Sequence, residues 1–234
     1  MLSLLTPVLL ERMLPFGELP MPGKVAVVVL LIISLGAHEA AHAWVALKRG
    51  DTTGRDLGRI TLNPIPHIDP VMSILIPGLL IVTHSQFLFG GAKPVPVNFY
   101  NLRSPFRDMA LVALAGPLSN FLIALLLFPI FHGLDKSGAY DGKLLLAILH
   151  WTIYWNLLLS AFNLLPIPPL DGSRVMAWIL PRSLRAPYQA LEPFGLFLVF
   201  GLLFLVPQIS YFVFATIDAM QRTIEWIGTL GGAW

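Results

Sequence analysis

The sequence contains no cysteine and few charged residues. The lack of cysteine among 234 residues excludes disulfides, thiolate nucleophiles, iron–sulfur clusters and cysteine-ligated zinc, so any metal site must use histidine and carboxylate ligands. Charged residues make up 12% of the chain, against roughly 25% in soluble domains. Hydrophobic residues make up 56%, and the mean hydropathy is +0.75. The composition indicates an integral membrane protein in contact with the lipid bilayer and argues against a soluble globular enzyme.

The basic residues are scattered along the chain. The net charge is +2 and the pI is about 9.0, but no run of lysine and arginine forms a basic patch. Nucleic acid is therefore not an expected partner. No internal repeat or low-complexity linker divides the chain, which favours one membrane-embedded unit.

Four apolar runs are long enough to cross a hydrocarbon core about 30 Å thick, which takes about 20 helical residues. These predicted spans are 24–48, 109–132, 144–165 and 194–217. Residues 1–23 hold shorter apolar pieces interrupted by charges, which favours an N-terminal interfacial segment. We expect residues 24–180 to form the membrane core, and residues 181–234 to supply the last span and a tail.

A fifth apolar run, 71–90, carries Pro77-Gly78 near its middle. It is either a kinked span or a re-entrant hairpin turning at that pair, and a hairpin needs protein or a water-filled cavity to cover its backbone. Residues 59–62 and 94–97 have strand-like character, with prolines that favour edge or irregular strands. The expected fold is an all-α polytopic membrane protein with four to five transmembrane helices, a re-entrant hairpin and short strand segments at the cytoplasmic side.

The first predicted span contains the pattern H-E-x-x-H at residues 38–42. His38 and His42 are one helical turn apart, so both imidazoles can reach a single zinc ion. Glu39 lies beside them without being forced to ligate, which is the placement of a general base. Ionisable residues inside an apolar span are costly and are functional candidates. The alternative is a pair of satisfied core histidines.

A catalytic zinc site normally takes a third protein ligand. Asp171 is the leading candidate, because it follows the third span directly and precedes Gly172, which permits close backbone approach. The alternative is a loop aspartate that caps a helix beginning at Gly172. His67, in H-I-D-P, is either a partner that orients the zinc site or a loop cap.

Several motifs, in this order, resemble the site-2 protease family of intramembrane zinc metalloproteases. H-E-x-x-H is followed by A-G-P-L-S-N at 115–120 and by N-L-L-P-I-P-P-L-D-G at 163–172. Three further segments resemble the minimal bacterial branch of that family: G-R-I-T-L-N-P at 58–64, H-I-D-P at 67–70 and A-K-P-V-P-V-N at 92–98.

The resemblance implies a role for each matching residue. It gives His38, His42 and Asp171 as ligands of one Zn²⁺ per chain and Glu39 as the catalytic base. It gives Asn120 as the asparagine that holds the substrate backbone or the oxyanion. The implied activity is metalloendopeptidase cleavage within or next to a transmembrane helix of a membrane-protein substrate.

The predicted site also constrains the topology. The end of the first span, the start of 109–132 and the end of 144–165 must share one membrane face, so an even number of crossings must separate Lys48 from Arg107. A hairpin at 71–90 satisfies this condition. It also places ten of the 15 Lys and Arg on the zinc face and five on the other, whereas a simple span divides them eight to seven. Cytoplasmic loops carry the excess of basic residues, so we expect a zinc site facing the cytoplasm of a bacterial plasma membrane.

Two other function classes fit part of the pattern. A zinc-dependent transporter would also place histidine and aspartate in spans, but it needs a polar path across the bilayer. A non-catalytic scaffold of the same fold would be expected to lack Glu39 or a ligand. The segments at 59–62 and 94–97 either receive the unwound substrate by strand addition or close a loop over the site.

Overall fold

The computed structural model describes residues 15–83, 85, 89–137 and 143–230. Within these ranges nine α-helices follow one another: α1 Met21–Arg49, α2 Thr53–Asp56, α3 Ile76–Val82, α4 Pro105–Ser137, α5 Lys143–Asn163, α6 Asp171–Ile179, α7 Arg182–Gln189, α8 Gly195–Leu205 and α9 Pro207–Leu230. Four short 3₁₀ turns lie at Phe16–Glu18, Ile65–His67, Phe99–Asn101 and Glu192–Phe194, and a π-helical turn, Pro70–Leu75, leads into α3.

Three of the helices, α1, α4 and α5, are long and apolar enough to cross a membrane. They confirm an all-α integral membrane protein. α1 and α4 expose large apolar side chains every fourth residue, and α1 buries Ser34, His38 and His42 on another face. This pattern suits a helix that faces lipid on one side and a polar site on the other. The exposed stripes consist of Met21, Val25, Val29 and Ile33 on α1, and Leu114, Leu118, Leu122, Leu126 and Ile130 on α4.

α4 is the central helix of the bundle and contacts α1, α5 and α6. One apolar core fills the space between α4, α5, α8 and α9, around Leu157 and Ile217. A second core packs Phe16 and Leu19 against α1 and α5, with the rings of Phe16 and Trp151 5.6 Å apart. The described part of the predicted interfacial segment is thus packed on the bundle. Residues 1–14 lie outside the described residues.

The predicted single span at 194–217 is not one continuous helix. α8 ends at Leu205 and α9 begins at Pro207. Proline has no amide hydrogen and clashes with the preceding turn, so the helix breaks at this position. α8 and the helical segment before it are together apolar enough for one further crossing, but the two are bent by 87° relative to each other.

The described residues at the two ends of the fifth apolar run lie next to each other. Asp69 caps the π-helical turn by accepting hydrogen bonds from the amides of Val71 and Met72. At the other end of the segment, the amide of Gly91 donates to the Met72 carbonyl at 3.1 Å. Helical structure continues through Pro77, which lies in the first turn of α3, where a missing amide is tolerated. The predicted turn at Pro77-Gly78 is therefore misplaced, because both residues lie inside a helix that continues to Val82.

The end of α1 touches the loop that precedes α4. The buried carboxylate of Asp51 accepts hydrogen bonds from the Asn98 amide at 2.8 Å and from Asn101 Nδ2 at 2.9 Å. The amide of Arg103 donates to the Arg49 carbonyl at 3.1 Å. These contacts place the beginning of α4 beside the end of α1.

The two predicted strand segments, 59–62 and 94–97, contain no β-strand in the described structure. Pro94 and Pro96 cannot donate hydrogen bonds to a neighbouring strand, which explains the irregular path of the second segment. Residues 92–97, called the strap below, lie instead against the helix that carries H-E-x-x-H.

Candidate metal centre

His38 and His42 lie on the same buried face of α1, with ring centroids 4.6 Å apart. The Nδ1 atom of His38 is 2.6 Å from Oδ1 of Asn120, and that of His42 is 2.7 Å from the carbonyl of Val112. Both partners belong to α4 and both are acceptors, so each imidazole carries its proton on Nδ1. The Nε2 lone pairs are consequently free to bind a metal.

Asp171 meets both of these lone pairs. Its Oδ2 lies 3.2 Å from Nε2 of His38, and its Oδ1 lies 3.5 Å from Nε2 of His42. Among the described residues, the buried Oδ2 has no hydrogen-bonding partner. Two imidazole lone pairs that face a carboxylate repel one another unless a cation lies between them. This unpaired oxygen is therefore the observation that fits a metal ion.

The distances agree with zinc. Bonds of about 2.0–2.1 Å in a tetrahedron give ligand–ligand separations of about 3.4 Å, close to the 3.2 and 3.5 Å observed between the imidazole nitrogens and Asp171. Two nitrogens and one carboxylate oxygen form a common donor set for catalytic zinc.

Two glycines make this convergence possible. A Cβ atom on Gly116 would lie 2.4 Å from Nε2 of His38 and 2.5 Å from Nε2 of His42, so a side chain there would fill the metal position. A Cβ on Gly172 would lie 2.2 Å from the Leu164 carbonyl oxygen. The backbone beside Asp171 is therefore pressed against the end of α5, as the sequence predicted for Gly172.

Glu39 is a second carboxylate near the metal position. Its ligand atoms and those of His38 and His42 all lie within 4.8 Å of one another. Unlike the orphaned oxygen of Asp171, however, Oε2 of Glu39 already accepts a hydrogen bond, from the Val95 amide at 2.7 Å. Asp171 is for this reason the better third ligand, and Glu39 is placed beside the metal position.

The strap is anchored at Lys93. Its amide donates to the His67 carbonyl at 2.8 Å, and its carbonyl accepts from the guanidinium of buried Arg59. The ring of His67 donates from Nε2 to the Thr61 carbonyl at 3.1 Å, and its Nδ1 faces Arg59 at 3.4 Å. Burial lowers the pKa of His67 below its usual value, which keeps the ring neutral. His67 thus organises the loop over Glu39, and its ring nitrogens are directed at loop groups.

Asn120 has contacts that differ from those the resemblance implies. Its side chain is fully buried. Oδ1 faces His38, and Nδ2 donates to Oδ1 of Asn156 at 2.9 Å. Nδ2, the atom that would donate to a substrate, is hydrogen-bonded to another helix instead. In this structure Asn120 contacts His38, a proposed zinc ligand.

An apolar cavity of about 640 Å³ opens beside the metal position. Its wall includes His38 and Glu39, together with residues from α1, from 72–77 and 89–91, and from α5, α8 and α9. The size is that of a typical ligand pocket. Nearly all of its lining is apolar, which suits a hydrophobic peptide segment.

Two groups in the site have no individual role in the sequence-based prediction, the Val95 amide and the Asn156 side chain. Val95 acts through its backbone amide, which every residue except proline possesses, so residue type carries no signal. Asn156 does carry a sequence signal. Polar residues occupy every fourth position of an apolar helix at Thr152, Asn156 and Ser160, and all three are buried.

Comparisons with known proteins agree with this geometry. A family model described as Peptidase family M50 matches residues 133–206. The chain is 40% identical over 202 residues to the "Putative zinc metalloprotease YwhC" of Bacillus subtilis, an alignment that covers 84% of this chain and 88% of the relative. It is 31% identical over 187 residues to the "Putative zinc metalloprotease Rip2" of Mycolicibacterium smegmatis, covering 78% of this chain and 68% of that protein.

A Rip2 protein of the same printed name from Mycobacterium tuberculosis is 34% identical over 198 residues, covering 82% of this chain and 71% of that protein. No solved structure matches the chain. The extent of these alignments and the M50 match show that the chain belongs to the site-2 protease family of intramembrane zinc metalloproteases.

Proposed function

We propose that this membrane protein is a zinc metalloprotease that hydrolyses peptide bonds within or next to transmembrane segments of membrane-protein substrates. The observation that carries the proposal is the meeting of His38, His42 and Asp171 beside Glu39, between long apolar helices and at the wall of an apolar cavity. The names of the relatives support the same activity.

His38, His42 and Asp171 are the proposed ligands of one zinc ion. Three protein ligands leave a fourth position free, as in catalytic zinc sites. Zinc bound there would lower the pKa of its bound water toward about 7 and would polarise a carbonyl group. Both imidazoles can offer the Nε2 lone pair to the ion, because their Nδ1 atoms face acceptors, Oδ1 of Asn120 and the Val112 carbonyl.

Glu39 is the proposed general base. Its Oε2 is held by the Val95 amide, which leaves Oε1 to take the proton of the attacking water. The same oxygen can return that proton to the leaving amine nitrogen as the peptide bond breaks. The strap and α1 together fix where this transfer takes place.

The substrate is proposed to be a transmembrane helix that unwinds locally. A helix engages its own amide groups in internal hydrogen bonds, so the scissile carbonyl becomes accessible only in an extended segment. The apolar cavity beside Glu39 can accommodate such a segment without exposing it to water. The strap covers the catalytic carboxylate, which favours the loop-closing role among the alternatives for residues 94–97.

We also propose that residues 71–90 re-enter the membrane from the face on which the site lies, and that the fourth crossing lies within residues 194–217. The Gly91–Met72 hydrogen bond and the contacts of Asp51 with Asn98 support an even number of crossings between α1 and α4. The excess of Lys and Arg on that face supports a cytoplasmic orientation in a bacterial plasma membrane.

Purified protein in liposomes, mixed with a model single-span substrate, tests the proposed function. We expect products cut within or beside the span by mass spectrometry, abolition by a zinc chelator, recovery on adding zinc, and loss in His42→Ala. Bound zinc without cleavage of any substrate would favour the scaffold. Zinc accumulation inside the liposomes without proteolysis would favour the transporter.

A further inference from the structure

A chain of buried hydrogen bonds leads away from His38 into the bundle. Oδ1 of Asn120 faces Nδ1 of His38 at 2.6 Å, and Nδ2 of Asn120 donates to Oδ1 of Asn156 at 2.9 Å. Nδ2 of Asn156 donates both to Oγ of Ser34 at 3.0 Å and to the Thr152 carbonyl at 2.9 Å. All five residues are buried, and they come from α1, α4 and α5.

The orientation of the Asn156 amide is determined by its neighbours. Ser34 donates its hydroxyl proton to the Leu30 carbonyl at 2.9 Å, so its oxygen accepts from Asn156. The Thr152 carbonyl can only accept. Asn156 must therefore direct its NH₂ group toward these two acceptors and its carbonyl oxygen toward Asn120.

This orientation is transmitted to His38. Because Asn156 presents a carbonyl oxygen, Asn120 must donate its NH₂ group there and offer Oδ1 to the imidazole. An acceptor opposite Nδ1 of His38 selects the tautomer protonated at Nδ1 and leaves the Nε2 lone pair directed at Asp171. A flipped Asn120 would direct two amide protons at Nδ1 and favour the opposite tautomer, in which Nε2 cannot bind metal.

We propose that Asn156 and Ser34 are positioning residues which, acting through Asn120, hold His38 in its metal-binding tautomer. The inference rests on the proposed function because it takes His38 as a zinc ligand. His42 needs no such chain, since a backbone carbonyl, that of Val112, cannot flip. The two histidines of the motif are thus oriented in different ways.

The chain also assigns Asn120 to the metal centre rather than to the substrate. A fully buried amide with both polar atoms engaged acts on the reaction through His38. In a water-poor interior, an unpaired polar atom is costly, so each member of the chain restricts the orientation of the next.

Asn156→Leu tests the proposal, because leucine keeps a similar volume and removes the amide. We expect the apparent zinc affinity, measured by chelator competition on the purified protein, to fall by about tenfold or more. The visible spectrum of the cobalt-substituted protein should change with it. Ser160→Ala is the matched control: Ser160 donates to the Pro117 carbonyl at 2.8 Å across the same two helices but lies outside the chain, so affinity and spectrum should stay unchanged.

A double variant separates positioning from packing. Aspartate at position 120 has two acceptor oxygens, so it accepts from His38 in either orientation and no longer depends on Asn156. In the Asn120→Asp background, Asn156→Leu should therefore not lower zinc affinity below that of the Asn120→Asp protein, whereas an independent packing effect would lower it again. Additive losses, or wild-type affinity in Asn156→Leu, would overturn the proposal.

Ser34→Ala provides a milder variant if Asn156→Leu does not fold. It removes one acceptor of Asn156 and should weaken zinc binding and change the spectrum of the cobalt-substituted protein; unchanged affinity would contradict the proposal. The proposed function can fail separately. Wild-type zinc affinity in His38→Ala would reject the ligand set, and zinc binding without proteolysis would reject the activity while leaving the affinity comparisons valid.

Discussion

The backbone amide of Val95 donates a 2.7 Å hydrogen bond to Oε2 of Glu39, joining the strap to the carboxylate of H-E-x-x-H. The strap in turn is held at Lys93 by His67 and Arg59. The proposed base is therefore oriented by a loop as well as by its own helix. The two hydrogen-bonded residues are 56 positions apart in the sequence.

Val95→Pro removes this donor. A residue that precedes proline favours extended backbone, which a proline at position 95 can adopt next to Pro96. We expect the rate of substrate cleavage to fall by at least about tenfold, as for a poorly placed general base, while zinc content stays unchanged. Val95→Ala keeps the amide and should retain most of the activity. Equal losses in the two variants would show that the side chain, rather than the hydrogen bond, matters.

Gly116→Ala should displace the zinc ligands. The added methyl group would lie 2.4–2.5 Å from both imidazole Nε2 atoms, so the rings must move. We expect zinc affinity to fall by about 10–100-fold, measured by chelator competition. Gly133→Ala is the matched control on the same helix, because nothing lies within 4 Å of a Cβ at that position. Equal zinc affinity in the two variants would contradict the geometry of the site.

The long apolar helices and the H-E-x-x-H pair could be predicted from sequence because both depend on local periodicity. The runs at 24–48, 109–132 and 144–165 correspond to α1, α4 and α5 with ends shifted by a few residues. The break in the last predicted span has a local cause as well, Pro207, a single helix-breaking residue in an otherwise apolar run.

Contacts between distant segments could not be derived in this way. Asp171 was a candidate ligand by residue type, but its approach to His38 and His42 depends on the packing of α6 against α4. The Val95 amide carries no residue-type signal. Asn120 was given a substrate role through family resemblance, whereas its orientation depends on Asn156, which lies on another helix.

Single-cysteine labelling tests the topology, and the cysteine-free chain gives no background. Arg55→Cys and Arg103→Cys, both at exposed positions, should react with an impermeant maleimide from the same side of the membrane. Lys136→Cys, at the far end of α4, should react from the opposite side. Labelling of positions 55 and 103 from opposite sides would show that residues 71–90 span the membrane.

Asp51→Asn should destabilise the junction between α1 and α4. Burial alone raises the pKa of Asp51, but hydrogen bonds from Thr53, Asn101 and Asn98 outweigh it and lower the pKa below the ordinary value of 3.8. Because the folded pKa is lowered, this stabilisation is complete above about pH 4 and is lost as the pH falls through the folded value. The variant should lose about 1–3 kcal/mol at pH 7 and less at pH 3.

Chemical unfolding in detergent at the two pH values measures this difference. The exposed neighbour Asp56 offers the control: Asp56→Asn should change stability by no more than about 0.5 kcal/mol at pH 7. If the stability difference between wild type and Asp51→Asn is as large at pH 3 as at pH 7, the ionised carboxylate does not stabilise this junction.

The central claim is that Glu39 transfers the proton while His38, His42 and Asp171 hold the metal. Measuring zinc stoichiometry and cleavage of a model transmembrane substrate in wild type and in Glu39→Gln tests it most directly. We expect one zinc per chain in both proteins and a loss of cleavage in the variant of at least about 100-fold. Retained cleavage in Glu39→Gln, or loss of its zinc, would contradict it.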